Sequence, residues 1–167
     1  MINKTYKFRC VMSSNLNNSI NRWLWEKRIP YPINVTLTEK QSFRGQKIDD
    51  VVSESNFRHF KNVLNQKTFG NGYRRFGKQL RMLVVREVSP LLRHHLHCII
   101  ENPHRFRSEE FVRLIKQIWR STDFGYEKIH VENPSSPNRE DGWLSYILKD
   151  KSKVNLFDSI DWNNTHL

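Results

Sequence analysis

The stretch RHHLHCIIENP, Arg93 to Pro103, sets three histidines and a cysteine just ahead of two isoleucines. Its apolar and β-branched content predicts a strand. Side chains alternate across a strand, so His95 and His97 share one face while His94, Leu96, Cys98 and Ile100 share the other. A pair of imidazoles two residues apart can grip one cation from one side. In the preceding run KQLRMLVVREVS, Glu87 is the lone acid among apolar neighbours, and the turn-like SPLL between the two runs predicts an antiparallel hairpin that brings Glu87 opposite the histidine pair. Two nitrogens and one oxygen leave coordination positions for water and a phosphate oxygen, a set suited to Mn²⁺ or Mg²⁺ in phosphoryl chemistry. The plainer alternative for any one of these histidines is a hydrogen-bonded core residue. Zinc held by His94, His95, His97 and Cys98 fails on geometry, because His94 and Cys98 leave the strand on the wrong face.

A second candidate lies near the C-terminus. In GWLSYILKD, Tyr146 and Lys149 are three residues apart and neighbours on one helical face. A phenol with a pKa near 10 is a poor nucleophile unless its target phosphate is polarised and its proton is eased away. A metal wall and a lysine could supply that help; a core aromatic beside Trp143 and Ile147 is the bland alternative. GYRRFGKQ, Gly72 to Gln79, copies the glycine and lysine spacing of a phosphate-binding loop, yet Gln79 stands where a hydroxyl should reach magnesium, and the segment runs from helix to strand rather than the reverse. We read it as a basic loop whose Arg74, Arg75 and Lys78 suit a nucleic-acid backbone, with Arg105 and Arg107 of NPHRFR adding charge after the histidine strand. A merely solvated charge run is the competing reading for both segments.

The elements that must position these groups follow from periodicity. INVTLT, 33–38, alternates as a first strand. Phe57, Phe60, Val63 and Leu64 recur at helical spacing in DDVVSESNFRHFKNVLNQK, which FGNG ends. The helix EEFVRLIKQIWRS carries a stripe of Phe111, Leu114, Ile115 and Ile118, with Ser108 expected as its cap. YEKIHVE is a further strand, a short helix is expected from Asp141, and SKVNLFDSIDWNNTHL is ambiguous. Residues 1–32 read as a polar, basic N-terminal extension packing partly on the core, and 33–167 as the domain itself. Strands in a meander with helices interspersed predict an α+β domain.

The totals set the class of partner. The 167 residues are 37% hydrophobic, enough for one sizeable core, and 28 Lys plus Arg against 17 Asp plus Glu give a formal charge of +11. Such a surface attracts polyanions, with nucleic acid foremost. No stretch has the length and apolarity of a membrane span or a signal peptide, so a cytoplasmic location and no membrane partner are expected. Cys10 and Cys98 are far apart, which argues against a disulfide framework.

Taken together, these residues resemble the HUH endonucleases, named for histidine, hydrophobic residue, histidine, and in particular the single-tyrosine rolling-circle replication initiators. NVTLT is similar to the family's first motif, HLH with Glu87 upstream to its metal motif, and YILKD to its nucleophile motif, covering about Asn34 to Lys151. The resemblance implies a palm of about five antiparallel strands with flanking helices, ferredoxin-like or RRM-like, with Glu87, His95 and His97 binding Mn²⁺ or Mg²⁺. It implies that Tyr146 attacks a DNA phosphodiester, leaving a 3′-hydroxyl and a 5′-phosphotyrosine, with Lys149 beside the scissile phosphate and Thr36 and Thr38 of the first motif on DNA. The implied partner is single-stranded DNA at a replication origin, in a stem-loop, with a helicase as a further partner; the location would be the nucleoid of a bacterium or phage-infected cell, or the nucleus of a eukaryotic host. Asp150 stands one turn beyond Tyr146, so the paired-tyrosine arrangement of some relatives is absent. The alternatives are a single-tyrosine transposase of the insertion-sequence type, disfavoured because that group takes its third ligand from the tyrosine helix, and a DNA-binding regulator without activity.

Overall fold

The computed structural model describes residues 16–87, 93–103, 106–132, 140–148 and 156–167. A helix, α1, covers residues 16–26. Then come β1 (Pro32–Glu39), the short pair β2 (Ser42–Phe43) and β3 (Gln46–Lys47), α2 (Asp50–Phe69), α3 (Asn71–Phe76), β4 (Met82–Glu87), β5 (His95–Glu101), α4 (Ser108–Ser121), β6 (Gly125–Glu132), α5 (Glu140–Ile147) and α6 (Leu156–Ser159).

The fold is α+β, with a four-stranded antiparallel sheet in the order β4-β5-β1-β6 and a separate two-stranded β2-β3 hairpin. The sheet has four strands rather than about five, and they do not form a simple meander. β4 and β5 make the expected hairpin pairing, but β1 lies between β5 and β6, because the chain returns through α4 to the free edge of β1. The C-terminal tail, which would have had to supply a further strand, contributes only isolated bridges to β4, Met82 with His166 and Val85 with Ile160.

Each sheet face has its own core. One packs Val35, Leu37, Val84, Leu96, Cys98 and Ile100 against Phe57, Phe60 and Leu64 of α2 and Phe111, Ile115 and Trp119 of α4. The rings of Phe57, Phe60 and Trp119 meet at 5.3–6.4 Å between centroids, and the fully buried Trp119 donates its Nε1–H to the Thr38 carbonyl at 3.1 Å. Such aromatic pairs contribute about 0.5–1.5 kcal/mol each beyond the area they bury. α2 starts where the sequence places it, with the Asp49 carboxylate accepting from Val52 N at 2.8 Å, and ends at Gly70, whose φ of 54° suits glycine. α4 departs from expectation: Ser108 is its first helical residue and Arg107 is the cap, with no side-chain capping bond, while the Ser108 hydroxyl accepts from Asn102 Nδ2 at 3.3 Å.

The other face carries a second core, in which Ile20 and Leu24 of α1, Leu83, Val85, Ile99, Trp143, Leu144 and Ile147 of α5, and Ile160 come together. The polar N-terminal segment thus sends two aliphatic residues under the sheet. Cys98 is buried on the first face with a free thiol. Among the described residues no helix is long and apolar enough to cross a membrane.

Candidate functional site

The site is a product of register. In the β4–β5 ladder Glu87 pairs with His95 and Val85 with His97, and in the β1–β5 ladder Thr38 pairs with His95 and Thr36 with His97. Directly paired residues project to the same face, so Glu87, His95, His97, Thr36 and Thr38 all lie on the face that α5 approaches. They also lie at one end of the sheet, where β4 finishes and β5 begins.

His97 is the hub. Only 5% exposed, it has both ring nitrogens engaged: Nε2 lies 2.7 Å from Glu87 Oε2 and Nδ1 lies 3.0 Å from Thr36 Oγ1. Two partners on opposite sides of an imidazole fix both its plane and its position. The ring also has aromatic neighbours. Tyr146 meets it edge-on at 5.9 Å between centroids and 85° between planes, Trp143 lies at 6.0 Å, and Trp143 and Tyr146 stack on each other at 5.5 Å. Trp143 and Tyr146 lie three residues apart on α5, neighbouring positions of the helix surface, and Ile147 and Leu144 anchor that helix in the second core. Tyr146 is nonetheless 51% exposed, a phenol propped against a buried histidine and still open to solvent.

His95 differs from its neighbour in being partly exposed. Burial pulls its pKa below the usual imidazole range, against the opposing pull of the Arg93 backbone and the Glu87 charge, with Lys128 and His94 adding to the fall. It is therefore held in the neutral form, which has a lone pair to give to a cation.

The donor set Glu87, His95 and His97 can be judged for a divalent ion on its own geometry. Among the described residues no three His, Cys, Asp or Glu side chains are gathered closely enough to enclose a metal. Two of the three are in contact, however, at 2.7 Å. Adjacent ligands of an octahedral ion at about 2.1 Å would stand about 3.0 Å apart, a separation that a small turn of the one-third-exposed Glu87 side chain provides. The third donor is paired across from Glu87. The residues suit such an ion in type and in the face they share, with His97 pre-set by Thr36, while His95 stands outside the Glu87–His97 contact.

The remaining expected residues divide. Thr36 is in the site, but its hydroxyl is bonded to His97. Thr38 is 3% exposed, so its side chain offers a polyanion almost no surface. Arg74 and Arg75 lie exposed on α3, a helix where the sequence predicted a loop, and Lys78 is exposed just after it. They precede the far end of β4, and five residue steps from Met82 to Glu87 put that end about 17 Å from the site. Arg107 likewise follows the far end of β5. These cations do not converge on the histidines. Lys149 and Arg105 lie outside the described residues. Cations that the sequence reading overlooked are nearer: Arg93, over the Tyr126 ring at 4.3 Å, and Lys128, whose charge is felt at His95. Only the register of β6 against β1, invisible in a lone strand pattern, brings Lys128 to this end.

Comparison with family models, with curated proteins and with solved structures finds no match to this chain.

Proposed function

We propose that the protein is a metal-dependent endonuclease that nicks and rejoins single-stranded DNA at a specific sequence to initiate rolling-circle replication, as the resemblance to HUH nucleases implies. The observation that supports this reading best is the ring contact between Tyr146 and His97, because it joins a solvent-open phenol to the carboxylate-bound histidine of the HLH strand.

In this reading the Tyr146 oxygen forms a bond to the phosphorus while the bond from phosphorus to the 3′-oxygen breaks. The leaving oxygen takes up a proton as a 3′-hydroxyl, and the 5′-phosphate remains on the tyrosine. One phosphodiester replaces another, so a later 3′-hydroxyl can reverse the step and no nucleotide triphosphate is consumed. Trp143 and His97 orient the Tyr146 ring, and Thr36 orients His97. A Mn²⁺ or Mg²⁺ ion held by Glu87, His95 and His97 would polarise the phosphate and neutralise its charge. Lys149 has the place the resemblance gives it, near the scissile phosphate and Tyr146, where a cation would ease the loss of the phenolic proton.

The test is a random-sequence pool of single-stranded oligonucleotides resolved on a denaturing gel. Cleavage of a subset is expected with Mn²⁺ and none with excess chelator, with recovery when Mn²⁺ is restored. Cleavage that persists in chelator, or a pool left intact in Mn²⁺, would contradict the proposal.

A further inference from the structure

The segment GYRRFGKQ takes no part in the site, and α3, which it forms, buries none of its residues and so adds nothing to either core. The helix is nonetheless held firmly to α2. The Tyr73 hydroxyl donates to Asn62 Oδ1 at 2.9 Å, Arg74 Nε–H donates to Gln66 Oε1 at 2.8 Å, and Gly77, with φ of 64°, closes the helix by donating its N–H to the Gly72 and Tyr73 carbonyls. Arg75, Phe76 and Lys78 are left exposed, Phe76 at 76%. From Lys67 to Leu80 the sequence has four cations and no acid.

The charge continues past α3. Arg81, just before β4, donates from Nη2 to the Lys27 carbonyl at 3.1 Å, which brings the exposed Lys27 and Arg28 that follow α1 to the same end of the sheet. α2 and α1 pack on opposite faces, so these cations form a band across the end of the sheet from one face to the other, about 17 Å of strand away from Glu87. Beside it stand the acids Glu26, exposed on α1, and Glu101, whose Oε2 accepts from Arg81 N at 3.0 Å; they leave a cationic excess. A duplex carries one negative charge per about 1.7 Å of its axis, and a row of cations on one surface releases its counterions. Sites for single strands add a series of rings for the bases, whereas α3 exposes one ring, Phe76, among its cations. A helix that lies in a membrane surface needs a whole apolar face, which α3 lacks. From this arrangement we infer that the end of the sheet opposite the histidines binds double-stranded nucleic acid through its backbone, without regard to sequence. Arg75, Lys78, Lys27 and Arg28 meet phosphates, and Phe76 packs into the edge of a groove. The inference goes beyond the nicking activity proposed above and draws nothing from it.

Anisotropy of a short fluorescent duplex of arbitrary sequence is measured over a range of salt, in excess chelator, for the intact protein, for Arg75→Ala with Lys78→Ala, for Phe76→Ala, and for Arg113→Ala with Arg120→Ala on α4. All the substituted side chains are exposed. The first pair should bind about tenfold or more weakly at low salt, and the slope of log K against log salt should become shallower by about 2, close to 0.9 for each phosphate contact removed. Phe76→Ala should weaken binding severalfold at an unchanged slope. The α4 pair removes the same charge and should match the parent. The intact protein should hold the duplex more tightly than either separated strand or anionic phosphatidylserine vesicles. Equal losses in the two pairs would show attraction by net charge alone and overturn the inference, as would parental binding in the first pair or in Phe76→Ala, or a preference for single strands or vesicles. Duplex binding that depends on Arg75 and Lys78 in a protein that nicks no strand would leave the duplex surface standing and sink the nuclease; nicking in Mn²⁺ without such binding would do the reverse.

Discussion

At the scale of single residues, the site depends on a hydrogen bond that carries no chemistry of its own. Thr36 holds Nδ1 of His97 and so decides which way Nε2 points. Thr36→Val keeps the shape and removes the hydroxyl, and we expect a 10–100-fold fall in Mn²⁺-dependent cleavage with little change in melting temperature. Undiminished cleavage in that variant would show that His97 is oriented otherwise. Glu39, one strand end away, makes a different prediction. It is 1% exposed, and burial raises its pKa from 4.5 to about 7 against the pull of the Ser53 hydroxyl, which donates to it at 2.6 Å. A carboxyl raised in the fold binds its proton more tightly there than in the unfolded chain. Its contribution to stability is therefore complete below pH 4.5 and is lost as pH rises to about 7. The full swing is on the order of 3 kcal/mol. Glu39→Gln should flatten the pH dependence of urea unfolding across that window, and equal slopes in the two proteins would refute the assignment. The residue types at the site were legible: two histidines on one face and an acid in the neighbouring strand follow from alternation alone. The bond from Thr36 to His97 was not, because it spans 61 residues and depends on which strand β1 chooses as neighbour.

At the scale of elements, local periodicity located β1, β4, β5, β6, α2 and α4, since each has enough repeats to show its period. Short elements escaped. β2 and β3 are two residues each, joined through Arg44 and Gly45 with φ of 47° and 82°, and α3 has six residues with none buried, so it writes no apolar stripe. Strand order escaped as well, because pairing of β1 with β5 and β6 is set by packing across the whole sheet. One glycine fixes the return of the chain to β1. A Cβ on Gly125 would drive into the Trp119 carbonyl and crowd the Thr122 hydroxyl, both parts of the turn that ends α4. Gly125→Ala should cost more than about 2 kcal/mol through forced movement of that turn, read as a lower urea midpoint, and a midpoint within error of the parent would contradict the close approach.

At the scale of the whole molecule, the two faces of the sheet do different work. The face under α2 and α4 is a closed apolar core with a three-ring cluster, and it holds the strands in register. The face under α1, α5 and α6 combines a smaller core with the histidines and the phenol, so the main core and the candidate site are separated by the thickness of one sheet. The formal charge is +11, and among the described cations Arg74, Arg75, Lys78 and Arg107 stand at one end of that sheet and Arg93 and Lys128 at the other. The total was readable from composition, but the division between ends needed the fold. The most direct test of the central claim is tandem mass spectrometry of the peptide containing Tyr146 after incubation with single-stranded DNA and Mn²⁺. The account predicts a nucleotide joined through its 5′-phosphate to the Tyr146 oxygen and none in Tyr146→Phe; DNA cleaved with Tyr146 unmodified, or an adduct that survives the substitution, would contradict it.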